Sequence, residues 1–296
     1  MTDATASPNA ASRAQALAVL VMGACIIGLA AILVRLSDAG PTATGVWRLV
    51  FAAPLLAIMA ARTGGFGGAP SKWALLAGLF FALDLGFWHY GIQYTSVANA
   101  TVLTNLTPVV VTAVAWVFLR QRPRPLFLVA VAAAVAGASM MAIEKTGGTP
   151  RNQPLGDTLS LITAVWYALY FLTMAEGRKR ETASRLMFWA SVTGAPLLLA
   201  AAVLLGERLV PATPRGWAAC VGLGLMHVAG QGSIAWAMGR LPTPTASVVV
   251  LVQPVVAAIL GYVLFAEAIG PLQGLGAAIA LAGIVLGQWA SRKTAS

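Results

Sequence analysis

Long apolar segments of about 20 residues alternate with short polar connections along almost the whole chain. Apolar and polar residues do not alternate within these segments, which favours helices over the strands of a membrane barrel. The pattern predicts an all-α integral membrane protein with ten transmembrane helices, over residues 14–34, 42–61, 73–93, 95–121, 126–143, 155–175, 186–205, 217–238, 245–265 and 272–290.

Two stretches of the chain are near-copies of each other. TSVANATVLTNLTPVVVTAVAWVFLRQ (residues 95–121) and LPTPTASVVVLVQPVVAAILGYVLFAE (residues 241–267) each carry a proline near the middle, Pro108 and Pro254. The spacing that separates these prolines also pairs Thr101 with Ser247, Pro125 with Pro271 and Gly137 with Gly283. A shared spacing through two successive apolar segments indicates an internal duplication, as in two-repeat membrane transporters.

The duplication extends upstream, with small changes of spacing where loops differ in length. Trp47 pairs with Trp189, Trp73 pairs with Trp217, and the sequence Ala-Pro-Leu-Leu at 53–56 recurs at 195–198. Because each copy holds five spans, an odd number, the second copy enters the membrane from the opposite side, and the copies form two inverted five-helix repeats. The predicted organisation is a disordered tail (1–13), a first repeat (14–143), a loop (144–154), a second repeat (155–290) and a tail (291–296).

Composition agrees with a membrane protein. Of the 296 residues, 59% are hydrophobic and 9% charged, and the mean hydropathy is +0.82. Such a chain cannot cover a soluble fold with a polar surface. Cys25 and Cys220 lie within apolar segments, and we expect free thiols packed as small hydrophobic groups.

The net charge of +10 would suit a nucleic-acid partner, but basic residues of integral membrane proteins usually lie in loops and set the orientation. The sequence has no soluble basic domain, so we expect no nucleic acid. One predicted side receives Arg35, Lys145, Arg151, Arg208 and Arg215, Arg48 lies within a span, and the opposite side receives the other 13 of the 19 Lys and Arg residues. The positive-inside rule then predicts a bacterial-type cytoplasmic (inner) membrane protein with both termini in the cytoplasm.

Motifs for several other functions are missing from the sequence. There is no Gly-x-x-x-x-Gly-Lys-Ser/Thr loop for ATP and no Cys/His cluster with metal-ligand spacing, so we expect no cofactor and no metal. An intramembrane enzyme acting on a lipid would concentrate several ionisable groups at one depth. The chain has few such groups, which makes an enzyme the least favoured alternative.

Four ionisable residues within the predicted spans stand out, because a charge there costs about 2.5–3.5 kcal/mol on insertion: Arg48, Asp84, His89 and His227. Asp84 shares a helix face with Trp88 and Gly91, and it would accept a substrate ammonium or couple protons. The alternative interpretation is that Asp84 is a buried partner for Arg48. His89 lies near the end of its span, and we expect it at the membrane interface.

Other polar and aromatic residues extend the predicted substrate site. His227 is followed one turn later by Gln231, and the pair either binds a ligand or forms a helix-to-helix hydrogen bond. Trp166 and Tyr170 share a face and either stack on a substrate or serve packing. The proline-broken spans four and nine add Thr101, Asn105 and Gln253 to the site, and Pro108 and Pro254 as hinges. Span ten carries a close-packing face for bundle assembly or a dimer, formed by Gly276, Ala280, Gly283 and Gly287.

Several of these features resemble the EamA-type branch of the drug/metabolite transporter superfamily. They are the two inverted halves, the segment from Thr95-Ser96 to Pro108, the sequence Gly45-Val46-Trp47-Arg48-Leu49, and Phe265-Ala266-Glu267. The chain departs from a strict repeat at Gln121, which corresponds to Glu267, and at Ala190, which corresponds to Arg48. We interpret these positions, and Arg48 with them, as structural.

The resemblance implies a carrier that works by alternating access around a midplane cavity. The subgroup it is most similar to exports aromatic amino acids, so the predicted substrates are aromatic or neutral amino acids or similar small metabolites. The alternative is broad-specificity efflux of drugs or other metabolites. The expected partners are that substrate and the lipid bilayer, in a monomer or homodimer, with proton coupling left open.

Overall fold

The computed structural model describes residues 10–66, 68–107, 109–110, 125–143, 152–178, 180–238, 240, 252–266 and 269–292, and within these ranges the ordered elements are all helical. The helices are α1 (Ala10–Gly28), α2 (Ala30–Leu36), α3 (Pro41–Arg62), α4 (Lys72–Tyr94), α5 (Val97–Thr104), α6 (Pro125–Ile143), α7 (Gln153–Gly177), α8 (Ala183–Leu204), α9 (Pro214–Met226), α10 (Gly232–Met238), α11 (Val252–Phe265) and α12 (Pro271–Arg292). A π-helical turn, His227–Gln231, joins α9 to α10.

Six stretches of helix are long and apolar enough to span a membrane. They are Ala14–Leu36, Pro41–Arg62, Lys72–Tyr94, Gln153–Met174, Ala183–Leu204 and Pro214–Ala237. Shorter apolar helices lie at Leu128–Gly137, Val255–Phe265 and Pro271–Gly283. The all-helical class and the membrane spans are therefore confirmed. The total of ten spans stays a prediction, because much of span four, including Pro108, and the first part of span nine lie outside the described residues.

Short polar side chains begin several of the helices. Ser71 accepts a hydrogen bond from the Ala74 amide at the start of α4, and Thr213 accepts one from Gly216 at the start of α9. Ser96 and Thr182 cap α5 and α8 in the same way. These residues satisfy backbone donors that have no partner inside the helix, a requirement that is strict where water is scarce.

The helices of the two halves pack against each other in related pairs. α3 packs on α8, and α6 packs on α12. In each pair, a helix of the first half contacts the equivalent helix of the second half. Helix α4 packs on α7, and the equivalent helices of the other halves, α9–α10 and α1–α2, also pack on each other. In the same way, the contact between α5 and α7 corresponds to the contact between α11 and α1. The repeats are thus interleaved, and their contact pattern is nearly unchanged when the halves are exchanged.

Glycines bring α6 and α12 into backbone contact. A Cβ added to Gly283 would lie 2.6 Å from the Ala134 amide nitrogen, and one added to Gly137 would collide with the backbone at Gly276 and Ala280. The small-residue face predicted for span ten is therefore used within the molecule, for bundle assembly. Gly287 lies in α12, but its surroundings are outside the described residues.

Several helices are interrupted. α1 and α2 are separated by a turn at Leu29, so the first predicted span is two helices. α5 ends at Thr104, just before the predicted hinge at Pro108. The π turn inserts an extra residue near the middle of the α9–α10 span. Such turns occur mostly as single insertions and often at functional sites.

Candidate functional site

The interior of the bundle holds two oppositely charged side chains from neighbouring helices of the first half. Arg48 on α3 is 2% exposed and Asp84 on α4 is 6% exposed. Each acts electrostatically on the other, but among the described residues they form neither a hydrogen bond nor an ion pair. The ring of Phe81, one turn before Asp84, lies 5.7 Å from the Arg48 guanidinium carbon.

The π turn contributes His227 and Gln231 from the second half, and both are buried. Small residues let this span lie close to its neighbours: at Gly224 a Cβ would lie 2.5 Å from Phe51, and at Gly230 it would lie 2.6 Å from Ile27. The His227 ring lies 5.0 Å from that of Phe81, and its Nδ1 is buried without a hydrogen-bond partner among the described residues.

Helix α7 closes the site with two tyrosines. The Tyr170 ring lies 4.7 Å from that of Phe81, and the Tyr167 ring lies 6.3 Å from that of Tyr170. The residues so far described form what we term the central cluster: Arg48, Phe81, Asp84, Tyr167, Tyr170, His227 and Gln231. Of the residues singled out from the sequence, the structure brings together Arg48, Asp84, Tyr170, His227 and Gln231.

The two tryptophans predicted for the substrate site, Trp88 and Trp166, pack in other parts of the bundle. Trp88 packs with apolar side chains of α2, α5 and α9. The Trp166 ring lies 6.1 Å from Phe87. Gly91, predicted to share the face of Asp84, packs against α7, where an added Cβ would lie 2.5 Å from the Ser160 hydroxyl.

The polar residues of spans four and nine also lie apart from the central cluster. Thr101 donates to the Val97 carbonyl (2.7 Å) and Asn105 to the Thr101 carbonyl (2.7 Å), so both side chains are used within their own span. Gln253 is buried, and its Nε2 has no partner among the described residues. Pro108 lies outside the described residues, as do the side-chain surroundings of Pro254.

The expectation for His89 is wrong. The side chain is fully buried between helices and is not part of an exposed aromatic belt, and its Nδ1 lies 2.9 Å from the Pro41 carbonyl oxygen. Pro41 begins α3, and this contact joins α4 to α3. The other ring nitrogen, Nε2, is buried without a hydrogen-bond partner among the described residues.

A second buried polar group was missed by the sequence analysis. The Asp157 carboxylate on α7 accepts hydrogen bonds from the Thr95 hydroxyl (2.6 Å) and the Asn99 amide (3.3 Å). Gln273 on α12 donates to Asn99 (2.5 Å), so the group joins three spans. Asp157 lies inside predicted span six, and the rule that singled out Asp84 would have found it.

One end of the bundle is held by hydrogen bonds between the halves; it contains residues 37–40, 95–96 and 205–213, and we term it the Glu207 end. Glu207 accepts hydrogen bonds at the start of α3 from the Thr42 hydroxyl and the Ala43 amide (2.9 Å), and from the Tyr90 hydroxyl (2.6 Å). Asp38 accepts from the Thr213 amide (2.9 Å). Bonding to Thr213 lowers the pKa of Asp38 below its ordinary value.

Arg35 belongs to the same end. Its Nε and Nη2 donate to the Ile92 carbonyl (3.1 and 2.9 Å), and Nη2 also donates to Thr95, at the carboxyl end of α4. A cation at this position satisfies carbonyls that have no partner inside the helix.

The site has no metal centre in the part of the chain that the structure describes. No group of three or more His, Cys, Asp and Glu side chains is arranged there to hold an ion. The central cluster combines one cation, one carboxylate, an imidazole, an amide and aromatic rings. It can bind a small polar or zwitterionic molecule with an aromatic part.

Comparison with known proteins agrees with this architecture. The profile of the EamA-like transporter family matches twice, at residues 15–143 and 154–287, and that of Solute carrier family 35 matches residues 87–203. An uncharacterized transporter of Archaeoglobus fulgidus is 25% identical over 271 residues, 91% of this chain and 94% of that protein. The uncharacterized transporter YwfM of Bacillus subtilis is 24% identical over 266 residues, 86% and 87% of the two chains.

A solved crystal structure has the same fold. It superposes with a TM-score of 0.64 over 97% of this chain and 100% of that one, at 16% identity. The two matches of one family profile fit the internal duplication, and they extend over most of the described helices. This chain belongs to the EamA-like transporter family and is a multi-pass membrane transporter.

Proposed function

We propose that this transporter exports aromatic or neutral amino acids, or similar small metabolites, by alternating access around the central cluster. The observation that carries the proposal is that Asp84, near the middle of α4, is buried and interacts electrostatically with Arg48, Tyr167 and Tyr170 of the central cluster. A carboxylate can accept a substrate ammonium, and Phe81, Tyr167 and Tyr170 offer faces for an aromatic side chain.

The ten-helix, inverted-repeat arrangement is part of this proposal. Its support is the exchangeable contact pattern of the two halves and the two matches of the family profile. In an odd-numbered repeat pair, rocking of the halves exposes a central site to each side in turn. With both termini in the cytoplasm of a bacterial-type cell, the Glu207 end faces outward and the end near Arg185 faces the cytoplasm.

The Glu207 end supplies the outer closure in this scheme. In the described residues, its hydrogen bonds between halves include Gly40 to Arg208 (2.9 Å), Trp47 to Leu209 (2.8 Å) and those of Glu207. At the opposite end, the described bonds between the halves include one between the Thr63 and Ser184 hydroxyls (2.7 Å) and one from Arg185 to the Ala69 carbonyl (3.2 Å).

Transport by purified protein in liposomes tests the proposal. The panel consists of radiolabelled phenylalanine, tyrosine, tryptophan, leucine, lysine and glutamate, measured as counterflow with and without a pH gradient. We expect saturable movement of the aromatic or neutral members, and little of lysine and glutamate. Equal movement of lysine, glutamate and the aromatic members, or no movement of any amino acid, would contradict the proposal.

A second candidate is efflux of lipophilic compounds that enter from the bilayer. It is favoured by an apolar cavity of about 410 Å³ between α4, α7 and α8, lined by residues that include Leu83, Phe87, Leu159 and Leu197. A cavity of this size is in the range of small-molecule sites. Flux of tetraphenylphosphonium in the same liposomes, without amino-acid flux, would make this the leading function.

A further inference from the structure

Arg48 lies in the interior of the bundle, and two of its three nitrogens are buried without a hydrogen-bond acceptor in the part of the chain that the structure describes. It lies seven residues into α3, 2% exposed, and its Nε and Nη1 have no partner among the described residues. A guanidinium carries five N–H donors and does not lose its charge, so desolvating it without acceptors is costly. Buried donors in native proteins are almost always satisfied, by protein, water or ligand.

Comparison with Arg35 shows what a structural arginine looks like in the same bundle. Arg35 directs Nε and Nη2 at backbone carbonyls at the end of α4 and holds that helix end in place. Arg48 makes no such bond in the described structure. Its described contacts are the ring of Phe81 and the electrostatic influence of Asp84, Tyr167 and Tyr170.

The internal repeat argues against a requirement for arginine in helix packing. The position of α8 that corresponds to Arg48 is Ala190, which is buried at 2% exposure. Helices α3 and α8 pack on each other and keep matching residues on either side, Trp47 with Trp189 and Pro54 with Pro196. An alanine therefore suffices for the packing, and the arginine serves a need of one half only.

Asp84 does not neutralise Arg48 by direct pairing. A buried ion pair is stable only when the charges meet in good geometry with their remaining donors and acceptors satisfied. Here the carboxylate and the guanidinium are both buried, act on each other, and yet form no ion pair in the described residues. A buried guanidinium and a buried carboxylate that are not paired with each other are complementary to the carboxylate and the ammonium of an amino acid. The carboxylate of an amino acid can accept two parallel hydrogen bonds from the planar guanidinium.

We propose that Arg48 is the subsite for the carboxylate of the substrate, with Asp84 opposite it for the ammonium, so that the compounds transported here carry a carboxylate group. The inference rests on the proposed function and narrows its substrate class. Amines and lipophilic cations, which have no carboxylate, lack the partner that Arg48 requires. This assignment replaces the structural role expected for Arg48 from the sequence.

The test combines a change in the protein with a change in the ligand. Purified protein in detergent is titrated calorimetrically with phenylalanine, with 3-phenylpropionate, which lacks the amino group, and with phenethylamine, which lacks the carboxylate. We expect Arg48→Gln to weaken binding of phenylalanine and 3-phenylpropionate roughly 10- to 100-fold, as for a lost charge-assisted hydrogen bond, and phenethylamine by less than about twofold. Arg62→Gln, at the exposed end of the same helix, is the matched control and changes none of the three.

A structural role gives a different pattern. If Arg48→Gln weakens all three ligands equally, or none of them, the carboxylate subsite is wrong. Should the variant not fold, Arg48→Lys carries the test, because it keeps the charge but loses the bidentate fork; it must weaken the two carboxylates and spare phenethylamine. If neither variant folds, failure of 3-phenylpropionate to displace phenylalanine from the wild-type protein overturns the inference.

Failure of the inference and failure of the proposed function remain distinct. Phenylalanine that binds and is exported without dependence on Arg48 excludes the subsite and leaves amino-acid export standing. Arg48-dependent binding of 3-phenylpropionate without binding of phenylalanine does the reverse: it supports the carboxylate subsite and points to transport of simple organic acids.

Discussion

Single residues of this transporter show two ways of burying a charge. Asp157 and Arg35 are bonded to neighbours from other helices and hold those helices together. Arg48 and Asp84 influence each other but are not bonded to each other in the described structure. We expect substitutions of Asp157 and Arg35 to lower the stability of the protein, and substitutions of Arg48 and Asp84 to lower its affinity for ligands.

Asp84→Asn should lower the affinity for phenylalanine by about tenfold or more, because the ammonium loses a charged acceptor. The thermal stability of the purified protein should change little. Asp157→Ala is the matched control: it should lower stability by about 1–3 kcal/mol, since buried donors on Thr95 and Asn99 lose their acceptor, without a specific loss of affinity. Counterflow and thermal unfolding measure the two effects. Asp84→Asn with unchanged affinity and pH dependence would exclude both roles of Asp84.

Asp38 predicts a pH dependence at the Glu207 end. The hydrogen bond with Thr213 lowers the pKa of Asp38 in the folded protein below its value in the unfolded chain. The stabilisation that follows is therefore present above the pKa of the unfolded state, and it is lost as the pH falls through the pKa of the folded state. Between about pH 6 and pH 3, the midpoint of thermal unfolding should fall more in the wild-type protein than in Asp38→Asn. Equal falls in the two proteins would show that the Asp38 contact does not contribute.

At the scale of helices, hydropathy alone located the six described spans to within a few residues. Lipid imposes a length and an apolar composition on each span, so the position of a span can be predicted from its own residues alone. The break at Leu29 and the π turn at His227–Gln231 have no such local signal. They depend on how one span packs against others, although the glycines around His227 indicate a close approach.

The contact between α6 and α12 predicts a sharp difference between two glycines of one helix. Gly283→Ala should destabilise the protein by about 1–3 kcal/mol, because the new methyl group would meet the α6 backbone, at 2.6 Å from the Ala134 amide nitrogen. Gly274→Ala should be neutral or slightly stabilising, since its nearest contact is the side chain of Ile269 at 3.7 Å and alanine favours the helix. Thermal unfolding in detergent compares the two. Equal destabilisation would contradict the packing.

For the molecule as a whole, the duplication in sequence predicted two related halves, but it indicated neither that their helices are interleaved nor where the central cluster lies. The repeat relates residues that are equivalent, whereas Arg48, Asp84, His227 and Gln231 are not equivalents of one another. The spacing along α4 placed Trp88 on the same helix face as Asp84. Two residues on one face belong to the same site only if the same neighbouring helix packs against both of them. In the structure α7 brings Tyr170 to the cluster through Phe81, and Trp88 packs in a different apolar group.

The closure at the Glu207 end can be followed with a native thiol. Cys220 on α9 is fully buried, with its Sγ 3.7 Å from the Ser37 hydroxyl, beneath the loops that Glu207 joins. In a Cys25→Ser background it is the one remaining cysteine, since the chain has two. If the halves separate at this end during transport, a membrane-impermeant maleimide will label Cys220 at a rate set by the open population.

Glu207→Gln should raise that rate by about tenfold, because the neutral amide keeps the shape of the side chain and loses the charge-assisted hydrogen bonds to Ala43 and Tyr90. Glu181→Gln, which removes a carboxylate paired with Arg185 (2.9 Å) at the opposite end, should not raise it. Saturating substrate should change the labelling of both variants if the site and the closure belong to one alternating cycle, since a ligand shifts only states for which its affinity differs. Labelling that is slow in every variant and insensitive to substrate would mean that the Glu207 end is a static part of the bundle, and the opening would then have to be sought elsewhere.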